Sequence, residues 1–285
     1  MVAGRAGYAE TLHAHWRQEF GDVRMLHAET TPFQKLEVFE TPGFGAVMAL
    51  DGVIQTTTAD EFVYHEMMVH PPMLAHGGAK RVLIIGGGDG GCLREALKHP
   101  VERVTLVEID AAVIAASKRF LPTLAAGGFS DPRARIVVGD GLAFVAATTE
   151  TFDVILVDST DPEGPGEALF TEAFYADCAR ALAPHGVLAT QCGVPFLQPA
   201  GVTASFRRLS AAFSDVTFSV CAVPTYVGGL MTLGWASNDP GLRRLGVESL
   251  RIRAQAAGLS TRYYTPEVHL AAFALPGYIQ ELLVP

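Results

Sequence analysis

The stretch VLIIGGGDGGCLRE, residues 82–95, joins a run of apolar residues to a glycine-rich turn and then to a helical pattern. Glycines at such a turn let the backbone approach a ligand closely and change direction sharply between strand and helix. Gly86, Gly88 and Gly91 have the spacing GxGxxG, which is weak alone because glycine-rich turns also serve plain packing. The stretch predicts the first strand, turn and helix of an α/β sheet.

Apolar runs separated by helical stretches continue downstream of this turn. The runs are residues 82–85, 104–107, 136–138, 154–157, 187–189 and 216–220. This alternation indicates βαβ units and a mainly parallel, Rossmann-like sheet with helices on both faces. In such a sheet ligands bind beyond the carboxyl ends of the strands, so the residues that follow each run are the candidate site residues.

Upstream of the turn the pattern is different. Residues 22–57 alternate apolar and polar positions and break at Thr41-Pro42-Gly43 and Asp51-Gly52, which is typical of short antiparallel strands. Residues 60–75 follow a helical pattern that we expect to stop at Pro71-Pro72. We predict an N-terminal β-strand domain with a linking helix at residues 1–77 and a Rossmann-like catalytic domain at residues 78–285.

Composition narrows the class of protein. The chain has 285 residues, 49% of them hydrophobic, and a net charge of -9 without a run of Lys or Arg, which favours cationic small molecules over nucleic acids. The first thirty residues hold no apolar run, and the longer apolar stretches are too short to span a membrane. The 4 cysteines show no CxxC spacing and are expected to be reduced thiols. We therefore expect a cytoplasmic protein.

Acidic residues follow the first three strands. Glu108 lies about 20 residues beyond the glycine turn, where a carboxylate can accept hydrogen bonds from both ribose hydroxyls. Together, the glycine turn and Glu108 indicate an adenosine-type ligand, but they do not distinguish NAD from S-adenosyl compounds. Asp89 favours a cationic ligand, because an anion there would repel a pyrophosphate. Asp140 either accepts a hydrogen bond from an adenine amino group or simply caps the helix that begins at Leu142.

The fourth strand runs into DSTDPEGPG, residues 158–166, which carries two carboxylates three residues apart. An amine nucleophile is protonated at neutral pH, and removing its proton costs roughly 4 to 5 kcal/mol. Asp158 is our candidate for the general base and Asp161 for the residue that holds a diamine's charge. The structural alternative is that this pair caps the helix starting near Glu172.

Several long motifs resemble the bacterial spermidine synthases, a family of aminopropyltransferases. They are LDGVIQTT at 50–57, DEFVYHEMM at 60–68, VLIIGGGDGGCLRE at 82–95, VEID at 107–110, DSTDPEGPGEALFTEAFY at 158–175 and PTYVGGLMT at 224–232. The resemblance runs from about Tyr8 to the end of the chain, and the motif at 158–175 is highly specific. One departure is Thr58-Ala59, where relatives often carry Glu-Arg.

The resemblance implies a class I methyltransferase-like fold and transfer of an aminopropyl group from decarboxylated S-adenosylmethionine to putrescine. Spermidine and 5'-methylthioadenosine would be the products, and the chain would form a homodimer or homotetramer. The adenosine moiety would contact Gln34, Gln55, Glu108, Asp140, Gly141 and Pro165. Asp89 would hold the donor's amine, Asp158 would accept the proton, and the diamine channel would be lined by Tyr64, His65, Asp158, Asp161 and Tyr226. Gln34, Tyr64 and Tyr226 rest on the resemblance alone.

We expect a single in-line displacement that needs no cofactor, metal or covalent intermediate. His65, His70 and His76 lack the i, i+4 spacing of a helical metal site. An S-adenosylmethionine-dependent methyltransferase would share the glycine turn, Glu108 and Asp140, but the acidic loop and Asp89 argue against it. A non-catalytic polyamine-binding protein is the alternative from another class. The sequence also leaves open cadaverine, agmatine or spermidine as the acceptor.

Overall fold

The computed structural model describes residues 7–161 and 164–284, without the side chains of residues 164, 165 and 167. The strands are β1 (Tyr8–Ala9), β2 (Glu19–Phe20), β3 (Arg24–Thr30), β4 (Lys35–Thr41), β5 (Gly45–Leu50), β6 (Val53–Thr57), β7 (Arg81–Gly86), β8 (Arg103–Glu108), β9 (Ala134–Val138), β10 (Phe152–Asp158), β11 (Leu182–Gln191), β12 (Asp215–Cys221) and β13 (Met231–Ser237). The helices are α1 (Glu61–His76), α2 (Gly91–Leu97), α3 (Ala111–Phe120), α4 (Pro122–Ala125), α5 (Gly141–Ala147), α6 (Glu172–Ala181), α7 (Pro199–Ala212), α8 (Val247–Ala256), α9 (Pro266–Ala272) and α10 (Gly277–Gln280).

The large sheet has seven strands in the order β12-β13-β11-β10-β7-β8-β9. Strands β7 to β11 pair in parallel, whereas β13 pairs antiparallel with both β11 and β12. The predicted Rossmann-like, mainly parallel α/β fold is confirmed. Strand β13 was not predicted, and the run at residues 216–220 belongs to the antiparallel edge that this strand creates.

The apolar run of β7 is buried on both faces of this sheet. Val82 and Ile84 belong to a core cluster with α1 and α2, while Leu83 and Ile85 belong to a second cluster with α6 and α7. Successive strand side chains point to opposite faces, so a strand covered on both sides needs an uninterrupted apolar run. The same reasoning explains the other central runs.

Helix α1 corrects one of our predictions. It does not stop at Pro71-Pro72 but continues through both prolines to His76. Its last turn is buried, and Arg253 donates hydrogen bonds to the carbonyls of Leu74 (2.7 Å) and Ala75 (2.6 Å). Tertiary packing and this side-chain cap outweigh the cost of proline in the helix. The helix ends at Gly77, which adopts the left-handed conformation with φ 77°.

The N-terminal region forms the antiparallel sheet that the alternating pattern predicts. Strands β3 to β6 pair in order, and the sheet packs on α3 and α4 through Leu36, Val38 and Met48. The domain boundary between residues 77 and 78 stays a prediction. Among the described residues, no helix combines the length and hydropathy needed to cross a bilayer.

The central strands create one switch of direction in the sheet. The chain passes from β7 through β8 to β9, and then returns to β10 on the other side of β7. Asp158, the last residue of β10, is paired in register with Gly86, the last residue of β7. A crevice therefore opens beyond the carboxyl ends of β7 and β10, where open α/β sheets bind their ligands.

Candidate active site

One cavity occupies this crevice and is lined by side chains from the seven-stranded sheet and from the N-terminal four-stranded sheet. The predicted site residues that line it are Gln34, Gln55, Tyr64, His65, Asp89, Glu108, Asp140, Gly141, Asp158, Asp161 and Tyr226. The side chain of Pro165, which the resemblance also implied, lies outside the described residues. The cavity thus brings together predicted residues that are up to 192 positions apart in the chain (Gln34 to Tyr226).

Asp89 lies in the glycine turn and is fixed at both carboxylate oxygens. Its Oδ1 accepts a hydrogen bond from the Gly91 backbone N–H (2.8 Å), and its Oδ2 lies 3.2 Å from Nε2 of His65. A Cβ at Gly91 would come within 2.2 Å of the His65 ring. Only glycine at this position allows the imidazole to reach Asp89.

His65 is held on its other side by Glu61, one turn earlier on α1. His65 Nδ1 lies 2.6 Å from Glu61 Oε2, and Arg94 donates to both Glu61 oxygens at 3.0 and 2.8 Å. Although burial disfavours the charge, the carboxylates of Asp89 and Glu61 hold the pKa of His65 well above its usual range. Burial opposes the charge of Glu61 as well, but His65 and Arg94 lower the Glu61 pKa to about 2. These two carboxylates therefore favour the protonated, cationic form of His65.

Glu108 ends β8 and faces the glycine turn. Its Oε2 accepts a hydrogen bond from the backbone N–H of Gly88 (3.1 Å), and its Oε1 accepts one from that of Asp110 (2.9 Å). Burial raises the pKa of Glu108 to about 7, against the lowering effect of these two hydrogen bonds. A ligand that donates hydroxyl hydrogen bonds to this carboxylate would favour its charged form.

Asp140 caps α5, as the structural alternative predicted. Its Oδ1 accepts hydrogen bonds from the backbone N–H groups of Leu142 (2.8 Å) and Ala143 (3.5 Å). It also lines the cavity and is exposed, so the cap does not prevent a ligand contact. Gly141 is buried beside it, and a Cβ there would lie 2.4 Å from the Ile85 side chain.

Asp158, the last residue of β10, lines the cavity. Tyr64 Oη donates a hydrogen bond to its Oδ1 (2.8 Å), and the Cys92 thiol also hydrogen-bonds to this carboxylate. Burial, followed by the nearby negative charge of Asp89, raises the pKa of Asp158. The Tyr226 ring packs edge-on against Tyr64, and Tyr226 Oη donates to the Gln55 carbonyl (2.6 Å). Both tyrosines shape the wall beside this carboxylate.

Asp161 is positioned by two glutamines that sequence reasoning missed. Gln191 donates to its Oδ1 (3.1 Å) and Gln198 donates to its Oδ2 (3.0 Å). The Asp pair does not cap α6, because Thr171 does so by accepting a hydrogen bond from Phe174 N–H. These two hydrogen bonds hold Asp161 at the cavity wall.

Glu10 is a further cavity residue that the sequence did not reveal. Its Oε1 accepts a hydrogen bond from the Ile54 backbone N–H (2.9 Å), and its Oε2 accepts one from Gln18 (2.8 Å). Burial raises its pKa, with a smaller contribution from the negative charge of Asp161. A lone acidic residue near the N-terminus carries no motif, so only the fold shows that it shares the cavity with Asp161.

Comparison with known proteins identifies the family. The model for the spermine/spermidine synthase domain matches residues 61–244, and that for the spermidine synthase tetramerisation domain matches residues 18–58. The chain belongs to the spermine/spermidine synthase family. Among its curated relatives are polyamine aminopropyltransferases of Pseudomonas syringae pv. tomato, 55% identical over 95% of this chain and 96% of the relative, and of Pseudomonas aeruginosa, 54% identical over 97% of each.

Solved structures of family members agree with the fold and the type of enzyme. A spermidine synthase bound to the transition-state analogue AdoDATO has a TM-score of 0.92 and 38% identity, covering 98% of this chain and 94% of that one. The spermidine synthase of Thermotoga maritima has a TM-score of 0.89 and 36% identity, with the same coverage. This member of the spermine/spermidine synthase family is an aminopropyl-transferring enzyme of polyamine synthesis, and its tetramerisation domain supports assembly into an oligomer.

Proposed function

We propose that the chain is a spermidine synthase, which transfers the aminopropyl group of decarboxylated S-adenosylmethionine to putrescine and releases 5'-methylthioadenosine. The observation that carries this proposal is that one cavity is lined both by Glu108, the candidate ribose contact, and by three further carboxylates, Asp89, Asp158 and Asp161. The donor and the diamine both carry positive charge, and carboxylates held at both amine positions would gather them. The structural relative that binds AdoDATO is a spermidine synthase, which supports the same assignment.

The contacts of Asp158 support its role as the proton acceptor. Its carboxylate is fixed by Tyr64 and its raised pKa makes it a stronger base than an exposed aspartate. The Asp158 carboxylate takes a proton from the attacking ammonium, and the neutral amine then attacks the aminopropyl carbon bonded to the sulfonium. The C–N bond forms as the C–S bond breaks, so methylthioadenosine leaves as a neutral thioether. Charge balance therefore requires no further group in the step.

The acidic end would also bind the amines that do not react. Asp89 would hold the terminal amine of the donor, since its Oδ2 faces the cavity beside His65. Asp161 and Glu10 would bind the far ammonium of the diamine, because both are fixed at the wall by amide or backbone donors.

We further propose that the enzyme works in the cytoplasm, without a cofactor, as a homodimer or homotetramer assembled through its N-terminal sheet.

The acceptor preference is tested by competition among amines. We expect kcat/KM to be highest for putrescine and lower by about tenfold or more for cadaverine, agmatine and spermidine, since each changes the distance or the chemistry of the second charge. The measurement is release of labelled methylthioadenosine from labelled donor with each amine alone and in pairs. A higher kcat/KM for another amine would overturn the putrescine assignment while leaving aminopropyl transfer in place. Methyl transfer in place of methylthioadenosine release would overturn the reaction itself.

The raised pKa of Glu108 predicts how binding of methylthioadenosine depends on pH. Between its ordinary value of 4.5 and about 7, the free folded enzyme holds a proton that the ribose hydroxyls must displace. We therefore expect the affinity to fall by up to about tenfold for each pH unit below about 7. Because the pKa of Glu108 is higher in the folded than in the unfolded chain, its protonation also contributes to the free energy of unfolding. This contribution is fully present below pH 4.5 and is lost as pH rises through about 7.

Titration calorimetry over this pH range measures the effect, with two variants beside the native chain. Glu108→Gln should bind more weakly but with little pH dependence between about pH 5 and 7, because its amide does not titrate. Glu102→Gln, an exposed residue just before the opposite end of the same strand, should keep the native slope. If the affinity of Glu108→Gln depended on pH as steeply as that of the native chain, a group other than Glu108 would be responsible.

A further inference from the structure

Cys92 is a buried thiol that the proposed reaction does not use. It lies in the first turn of α2, directly after the glycine turn, and its side chain is 0% exposed. Burial and the charge of Asp158 raise the pKa of the Cys92 thiol well above its usual range. It is therefore a poor nucleophile, because the thiolate is the reactive form. Its neighbours, however, are other side chains that can bind a metal ion.

The donor atoms of Cys92, His65 and Asp158 lie within 4.8 Å of one another. Asp89 adds a fourth candidate, since its Oδ2 is 3.2 Å from Nε2 of His65. A sulfur, an imidazole nitrogen and carboxylate oxygens form the donor set that Zn²⁺ and similar thiophilic cations prefer. Hard cations such as Mg²⁺ prefer oxygen donors alone. The four residues come from α1, α2, β10 and the glycine turn, so sequence spacing could not reveal them together.

The surroundings of His65 suit a metal ligand. Its Nδ1 lies 2.6 Å from the Glu61 carboxylate, and Arg94 fixes that carboxylate with two hydrogen bonds. Metal-bound histidines usually donate the second ring N–H to a carboxylate, a backbone carbonyl or a water, because this contact orients the ring and strengthens its donor character. The nitrogen on the opposite side, Nε2, is the one directed at Asp89.

We propose that a thiophilic divalent cation such as Zn²⁺ binds Cys92, His65 and Asp158, with Asp89 as a further oxygen ligand, and inhibits the enzyme. The thiol and the imidazolium each release a proton to solvent as the cation binds. The cation then occupies the carboxylates that the mechanism assigns to the donor amine and to proton removal. Inhibition should therefore be relieved by raising the concentration of the donor or of the diamine.

The test is a Zn²⁺ titration of the full-length, chelator-treated enzyme, with each variant's rate expressed relative to its own metal-free rate. We expect Cys92→Ala and Cys92→Ser to raise the concentration for half-inhibition by at least about 10- to 100-fold, since losing even an outer partner of a metal ligand typically has an effect of this size. Cys178→Ala, which removes a buried thiol on α6, is the matched control and should keep the native value. Mg²⁺ at the same concentrations should not inhibit.

Cd²⁺ provides a readout that does not depend on turnover. Its binding to a thiolate gives a charge-transfer absorption in the ultraviolet, which should appear in the native chain and in Cys178→Ala but not in the Cys92 variants. Saturating donor should suppress the band. Equal Zn²⁺ inhibition of Cys92→Ala, a band that persists in that variant, or inhibition unaffected by either substrate would each overturn the proposal.

Discussion

Replacing Asp158 by Asn should lower turnover at neutral pH by about 10³-fold, within the range that general-base catalysis contributes. Asn is nearly isosteric and can still accept the Tyr64 hydrogen bond, but it cannot take a proton from the attacking ammonium. Binding of methylthioadenosine should survive, because the adenosine contacts are proposed for Glu108 and Asp140 and not for Asp158. Steady-state kinetics and calorimetry on the same preparation measure the two effects separately.

The pH dependence of this variant separates loss of the base from a general disturbance of the site. Without Asp158 the rate should follow the fraction of neutral amine in solution, which rises about tenfold per pH unit below a pKa near 10.4. The deficit relative to the native enzyme should therefore shrink as pH rises. Asp177→Asn on α6, a partly exposed residue outside the cavity, is the control and should show native kinetics at every pH. Near-native turnover of Asp158→Asn at neutral pH would remove the proposed role.

The strand-end carboxylates could be predicted from the sequence because of a general property of parallel sheets. The carboxyl ends of parallel strands meet at one edge, so residues after successive apolar runs become neighbours whatever their separation in the chain. Asp89, Glu108 and Asp158 line one cavity for this reason. Asp140 shows the limit of the method, since the same position serves as a helix cap and as a cavity residue.

Residues that reach the cavity from elsewhere could not be found by pattern. Glu10 and Gln198 arrive from outside the strand-end positions, and no local spacing marks either of them. Tyr64 was available only from the resemblance, because an apolar helix face gives no sign that one hydroxyl will meet an aspartate 94 residues away. Arg94 and Glu61 were missed likewise, since a buried ion pair between two helices depends on how those helices pack.

Two errors in the fold prediction have the same origin. Helix α1 continues through Pro71-Pro72 because its buried last turn and the Arg253 contacts compensate for the prolines. Strand β13 is buried at every position, but its polar residues Thr232 and Ser237 interrupt the apolar pattern that would have predicted it. Both hydroxyls can be buried because each donates a hydrogen bond to a backbone carbonyl oxygen. In both cases tertiary contacts override the local signal.

Gly86→Ala should be the most damaging single change in the glycine turn. Gly86 adopts a left-handed φ of 80°, and a Cβ there would lie 2.1 Å from the Asp158 carbonyl oxygen. That oxygen accepts the hydrogen bond from Gly87 N–H (2.8 Å), so the clash falls on the backbone that positions the proposed base. Because neither backbone segment has a flexible end that can move away, we expect a loss of about 2 to 4 kcal/mol in the free energy of unfolding.

The clash in Gly86→Ala should also displace Asp158 and lower kcat by about 10²-fold or more. A shift of the base by roughly 1 Å is enough to disturb proton transfer and alignment. Chemical denaturation and steady-state kinetics measure the two losses. Gly78→Ala, just before the other end of β7, is the matched control: a Cβ there has no neighbour within 4 Å, and the backbone is not left-handed. It should change the free energy of unfolding by less than about 0.5 kcal/mol and leave kcat native. If Gly86→Ala matched that control in both measurements, the turn would not be what holds Asp158 in place.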